Sequence, residues 1–183
     1  MPKIRTVRSK KPPAGFDEIE DTLLDFEVRL KDAESKSKKA TAGQSVSLSE
    51  GLWPIYQLHH QRSRYIYDLY YTKDRAISSE LYSWLLKNRY ADAQLIAKWK
   101  KQGYEHLCCL RCIQGKDNVH GTTCICRVPK AQLTKRIEQE EAKESEDDDE
   151  GEDKKKKKKK KNKESVKSIQ CVTCGCRGCA STD

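Results

Sequence analysis

Nine cysteines carry the clearest chemistry in this chain, and all of them fall after Leu107. They come in two bursts: Cys108, Cys109, Cys112, Cys124 and Cys126, then Cys171, Cys174, Cys176 and Cys179. The first burst reads C-C-x2-C-x11-C-x-C and the second C-x2-C-x-C-x2-C. A disulfide framework is the poorer reading. The number is odd, the lysine-rich composition suits a reducing compartment, and the basic stretch Met1 to Ala14 has no apolar run for a secretion signal. Thiolate binding of metal accounts for the pattern better.

Two separate four-thiolate zinc sites would leave one of the nine cysteines over. The adjacent Cys108 and Cys109 and the C-x-C pairs are also cramped for separate sites. If three sulfurs each bridge two metals, nine thiolates meet the needs of three tetrahedral zincs with none spare. Three zinc ions are therefore favoured, with two as the runner-up. Such a cluster is net negative, and Arg111, Arg127, Lys130 and Arg177 lie among its ligands, where they offset that charge or face phosphate. A RING-type ligase fits less well, because His106 and His120 do not complete its Cys/His octet. The ligands alone also allow an iron–sulfur cluster, but nothing in the sequence suggests electron transfer. His59 and His60, distant from the cysteines in sequence, are expected at a polar or core-edge position.

The formal net charge of +9 is uneven. Glu138 to Glu164 holds 12 acidic and 10 basic residues, so the remainder carries +11. An excess of that size on a small protein points to a polyanionic partner. The N-terminal arm supplies Lys3, Arg5, Arg8, Lys10 and Lys11 without one acidic residue. Such an arm is ordered by phosphate contacts, which makes these five residues candidates for RNA binding beside the four cations near the cysteines.

The elements that must position these groups are helical. Aromatic residues cluster between Phe26 and Tyr104, and none follows Tyr104, so metal must hold together what an apolar core cannot. The expected class is mainly α: a helical N-terminal block followed by a small, irregular, cysteine-rich zinc-cluster module. Residues 1–15 read as a basic extended arm and residues 16–35 as a helix, with Ile19, Leu23, Phe26 and Leu30 on one face. Ser35 to Gln44 reads as a linker. Residues 49–105 form the helical block, with a long helix beginning near Pro54. A second helix, about Ser78 to Lys87, is capped by Ser78 or Ser79. A third runs from an Asp92 cap to Gly103 as its C′ residue. Residues 106–137 and 165–183 make the zinc-cluster module, with a short helix over Thr134 to Glu141. Residues 138–164 are a charged insertion expected to be disordered, including eight successive lysines from Lys154 to Lys161.

Mean hydropathy of −0.92 and the absence of any long apolar run exclude a membrane span. No phosphate-cradling glycine loop, nucleophile elbow or open metal site is present, so a non-catalytic protein is expected.

Several longer stretches carry a resemblance. They are Leu52-Trp53-Pro54-Ile55, Leu58-His59-His60-Gln61 and Arg64-Tyr65-Ile66-Tyr67-Asp68-Leu69, then Leu95 through Glu105 and Leu107-Cys108-Cys109-Leu110-Arg111-Cys112-Ile113. The third part is Cys124-Ile125-Cys126-Arg127-Val128-Pro129-Lys130 with the terminal cysteine run. Together they resemble the bud-site-selection (G-ten) family of spliceosome components, from the Met1-Pro2-Lys3 arm to Cys179. The resemblance implies a nuclear, non-catalytic scaffold of the activated spliceosome that acts in pre-mRNA splicing. It implies partners among the Prp-nineteen-related proteins, the large core scaffold, small nuclear RNA and the pre-mRNA intron. It also implies a helical N-terminal part and a trinuclear zinc cluster on all nine cysteines. The insertion at 138–164 departs from the pattern of the family. The competing reading is a zinc-finger transcriptional or chromatin adaptor whose arm touches DNA.

Overall fold

Ile19, Leu23, Phe26 and Leu30 recur at helical spacing and are all buried, with Leu30 only 3% exposed. They lie on α1, Asp17–Ala42, whose first turn carries Asp17, Glu18 and Glu20 at the positive end of the helix dipole. The computed structural model describes residues 11–42, 47–72, 75–117, 123–144 and 170–182. Arm residues 1–10 lie outside these, as does the lysine run.

α1 packs against α2, Leu48–Tyr71. Contacts of Phe26 with Tyr65 and of Arg29 with Gln61 run in opposite directions along the two helices, so the pair is antiparallel. Leu58 closes the far end against Phe26, Leu30 and Ala33. Two short helices complete the block: α3, Ser79–Lys87, and α4, Ala93–Trp99. The Ser78 hydroxyl accepts from the Leu81 N–H at 3.1 Å. The Asp92 carboxylate accepts from Gln94 and Leu95 N–H at 2.9 and 3.1 Å. Each thus satisfies backbone donors that the first helical turn leaves open. Among the described residues there is no strand.

Four boundaries differ from the sequence reading. α1 continues to Ala42 instead of ending near residue 35, because the polar stretch after Glu34 contains no proline or glycine before Gly43 to stop it. α2 begins at Leu48, which places Pro54 inside the helix, two turns from its start. Proline costs that helix one backbone bond near its N-terminal end, where the apolar face of the helix still holds it in place. Gly103, with φ +85°, lies beyond the Lys100 C-cap and closes the following turn, not the helix itself. The last helix, α5, spans Lys130–Glu144 and so takes in residues 138–144, where disorder was expected. It opens directly after Pro129, whose carbonyl accepts from Gln132 and Leu133 N–H.

One apolar core runs from the helices into the cysteines. Phe16, Ile66, Leu81, Leu85, Ile96 and Trp99 are continuous with Leu107, Cys112, Cys124 and Cys171. The cysteine-rich segment is therefore seated on the helical block.

Candidate metal centre

Short local structure aims the sulfurs. Cys109 is extended and is followed by a 3-10 turn, Leu110–Ile113. Side chains three apart eclipse in that geometry, which brings Cys109 and Cys112 Sγ to 3.4 Å. Cys124 caps a further 3-10 turn, Ile125–Arg127, which carries Cys126. In the last segment the Gly175 N–H bonds the Cys171 carbonyl at 2.7 Å and the Cys171 N–H bonds the Cys176 carbonyl at 2.9 Å, closing a tight loop. The two bursts are joined by the Cys179 N–H to the Cys126 carbonyl, 2.7 Å.

All nine thiols meet in one place and none forms a disulfide. They sort into three groups of four: Cys108, Cys109, Cys112 and Cys174; Cys108, Cys126, Cys176 and Cys179; and Cys112, Cys124, Cys126 and Cys171. Cys108, Cys112 and Cys126 each belong to two groups, and the other six to one each. A further set, Cys171, Cys174 and Cys176, draws one unshared sulfur from each group.

The spacing fits tetrahedral thiolate sites. Zinc–sulfur bonds of about 2.3 Å in a tetrahedron put neighbouring sulfurs roughly 3.8 Å apart. In the first group the Cys108–Cys109, Cys109–Cys112, Cys112–Cys174 and Cys174–Cys108 distances are 3.9, 3.4, 3.8 and 3.5 Å. Cys108–Cys126 and Cys126–Cys179 measure 3.8 and 3.6 Å in the second. In the third, Cys112–Cys171 and Cys124–Cys171 measure 3.6 and 3.3 Å. These are far longer than a disulfide and close to the edges of a metal-centred tetrahedron. Burial pushes the Cys124 thiol up, and the neighbouring sulfurs push Cys126 up while they hold Cys109, Cys171 and Cys179 down, so the thiols do not ionise independently. So dense a set of sulfurs ionises together only with cations among them.

Arg127 stands against this negative centre. Its guanidinium donates to the Cys179 carbonyl, approaches Cys179 Sγ at 3.7 Å, and donates to the Gly103 carbonyl at 2.5 Å. The same group lies 4.9 Å from the Tyr104 ring centroid. Of the four cations near the cysteines, Arg127 is committed inward. Arg111, Lys130 and Arg177 are exposed, with Arg111 Nη1 donating to the Tyr56 hydroxyl at 2.5 Å. The structure thus brings the nine cysteines together and leaves three of these four cations facing outward. Of the arm cations, Lys11 is exposed and the other four lie outside the described residues.

Several residues of the motifs quoted above position the cysteine loops, a role that their spacing does not mark. Trp53 Nε1 donates to the Val172 carbonyl at 2.8 Å, clamping the last cysteine loop to α2. Trp99 Nε1 donates to the Leu107 carbonyl at 2.8 Å, directly before the first cysteine. Arg64 donates to the Glu105 carbonyl at 3.1 Å and lies over the Tyr67 and Trp99 rings. The Ser181 hydroxyl donates to the Glu105 carboxylate, which holds that carboxyl below its usual range. Only the aromatic and charged character of these residues was visible in sequence. Most of their partners are backbone carbonyls of the cysteine loops and the turns before them, which no pattern marks.

The family model of the pre-mRNA-splicing factor BUD31 matches residues 1–181. This chain belongs to the BUD31 family. The pre-mRNA-splicing factor cwf14 of Schizosaccharomyces pombe is 61% identical over 135 residues, covering 74% of this chain and 88% of that protein. The pre-mRNA-splicing factor BUD31 of Saccharomyces cerevisiae is 56% identical over 140 residues, covering 76% and 87%. The BUD31 homologue of Danio rerio is 53% identical over 133 residues, covering 73% and 88%. The resemblance drawn from the motifs is thus the right family. For a BUD31-family chain the alternative of a transcriptional or chromatin adaptor is not favoured.

Proposed function

We propose that this chain is a non-catalytic scaffold of the activated spliceosome, acting in the nucleus in pre-mRNA splicing. Its zinc-cluster module, 106–137 with 165–183, holds three zinc ions on nine thiolates, with Cys108, Cys112 and Cys126 as the bridges. The helical block at 49–105 carries that module and presents it to spliceosomal proteins. Lys3, Arg5, Arg8, Lys10 and Lys11, together with Arg111, Lys130 and Arg177, reach small nuclear and intron RNA. Arg127 serves the cluster.

The observation that carries this reading is the sharing of three sulfurs among three four-sulfur groups, in a chain whose relatives are named as splicing factors. Thiolate-only tetrahedra leave no open position for substrate, so the metal is structural. The test is co-purification and crosslinking of the tagged protein. Small nuclear RNAs are expected with the wild type, and fewer RNA crosslinks after deletion of Met1 to Lys11 or neutralisation of Arg111, Lys130 and Arg177. Wild-type crosslinks in both variants, with zinc still bound, would show that these cations do not carry the RNA contact.

A further inference from the structure

Away from the cluster ligands, the most unusual group is Arg62 on α2. It is 3% exposed, and its Nε and Nη1 have no hydrogen-bond partner. Nη2 meets His59 Nδ1 at 3.3 Å, and Glu27 of α1 attracts the guanidinium only through space. Burying a cation with unmet donors is costly, and an apolar side chain of similar volume would ordinarily serve the fold better.

Arg62 forms part of the wall of an open cavity of about 580 Å³. Arg89, Arg111 and His59 line it as well. The carboxylate on that wall, Asp92, is engaged with the α4 backbone. Arg89 adds an independent observation. It has φ +63°, and its N–H bonds the Leu86 carbonyl at 3.1 Å while Tyr90 N–H bonds Leu85, so it ends α3 where glycine is the unstrained choice. Two positions on one cavity thus hold arginine against the preference of the fold.

We infer that this cavity is a phosphate-binding site that takes a backbone phosphate of an RNA strand, with Arg62 at its floor and Arg89 at its rim. The inference rests on the RNA-contact reading above and adds Arg62 and Arg89 to it, on a cavity that Cys108 and Cys109 of the cluster also line. Nε and Nη1 are themselves shut off from solvent, so an oxyanion in the cavity offsets the buried Arg62 charge and takes its direct hydrogen bonds from Arg89. The volume suits a nucleotide better than a single carboxylate. Tyr56 and Arg111, joined by the Nη1–hydroxyl bond with the guanidinium 5.7 Å from the ring centroid, line the same cavity and supply a ring and a cation for a base.

The test uses the full, zinc-loaded chain, a fluorescent uridine oligonucleotide read by anisotropy, and inorganic phosphate and an aspartate-rich peptide as competitors. Arg89→Gly removes the charge while relieving the backbone, so its melting temperature should hold or rise; Arg62→Met removes the buried cation. Each variant should bind the oligonucleotide about tenfold or more weakly than wild type with zinc content unchanged, and phosphate should compete only with the wild type. Wild-type affinity in Arg89→Gly overturns the site. If deletion of Met1 to Lys11 then abolishes binding, the broader RNA reading survives without the cavity. Competition by the peptide with none by phosphate also overturns it, in favour of an acidic protein segment.

Discussion

The indole of Trp53 lies on the backbone of Gly175. A Cβ at Gly175 would come within 2.6 Å of that ring, and the glycine itself has φ +68°. A residue of the second helix thus fixes the conformation of a residue between two of the last cysteines. Gly175→Ala combines left-handed strain with overlap on a ring that cannot easily move. It should destabilise the module by about 1–3 kcal/mol. Denaturant unfolding and the rate of zinc release to a chelator check this, with faster release expected.

Arg127 is expected to behave as part of the cluster. Its replacement by alanine removes bonds to Cys179 and Gly103 and leaves the negative sulfurs less compensated. A loss of roughly 2–3 kcal/mol follows from charge-assisted bonds alone. Zinc should leave Arg127→Ala more readily than it leaves Arg177→Ala, measured by competition with a colorimetric chelator.

Shared and unshared sulfurs should differ in what they cost. Cys112 belongs to two groups and Cys109 to one. Cys112→Ser should therefore disturb two ions and Cys109→Ser one. Metal counts for the two variants by native mass spectrometry check the difference.

His59 is held at a pKa of about 4, first by burial and then by the nearby Arg62 charge. Its unfolded value is about 6.5, so between these two pH values the unfolded chain binds the extra proton. Stability from this group is complete above pH 6.5 and falls as the pH drops towards 4. An NMR titration of the His59 ring should give a midpoint near 4 in the zinc-loaded protein, and His59→Gln should lessen the acid sensitivity of unfolding. A midpoint near 6.5 would contradict the buried placement.

The cysteine spacing made the metal chemistry legible, because thiols packed as C-x-C have few other uses. Helix faces such as Ile19, Leu23 and Phe26 were legible from periodicity. The sequence left open which sulfurs are shared, because sharing depends on how two bursts 45 residues apart in the chain, Cys126 and Cys171, fold onto each other. The end of α1 was misread because a polar stretch without proline or glycine continues a helix, and the start of α2 because Pro54 is tolerated inside a helix whose apolar face is packed. Arg62 was invisible for a different reason. A buried arginine with two unmet donors in an amphipathic helix looks like any exposed one until the neighbouring elements are placed.

In the proposed arrangement nine thiolates hold three metals with none idle. Native mass spectrometry of the intact zinc-loaded chain, combined with thiol alkylation under native conditions, tests it most directly. Three zincs per chain and no alkylated cysteine are the predicted result. Two zincs with one cysteine freely alkylated would contradict the shared-sulfur arrangement and point to two separate sites.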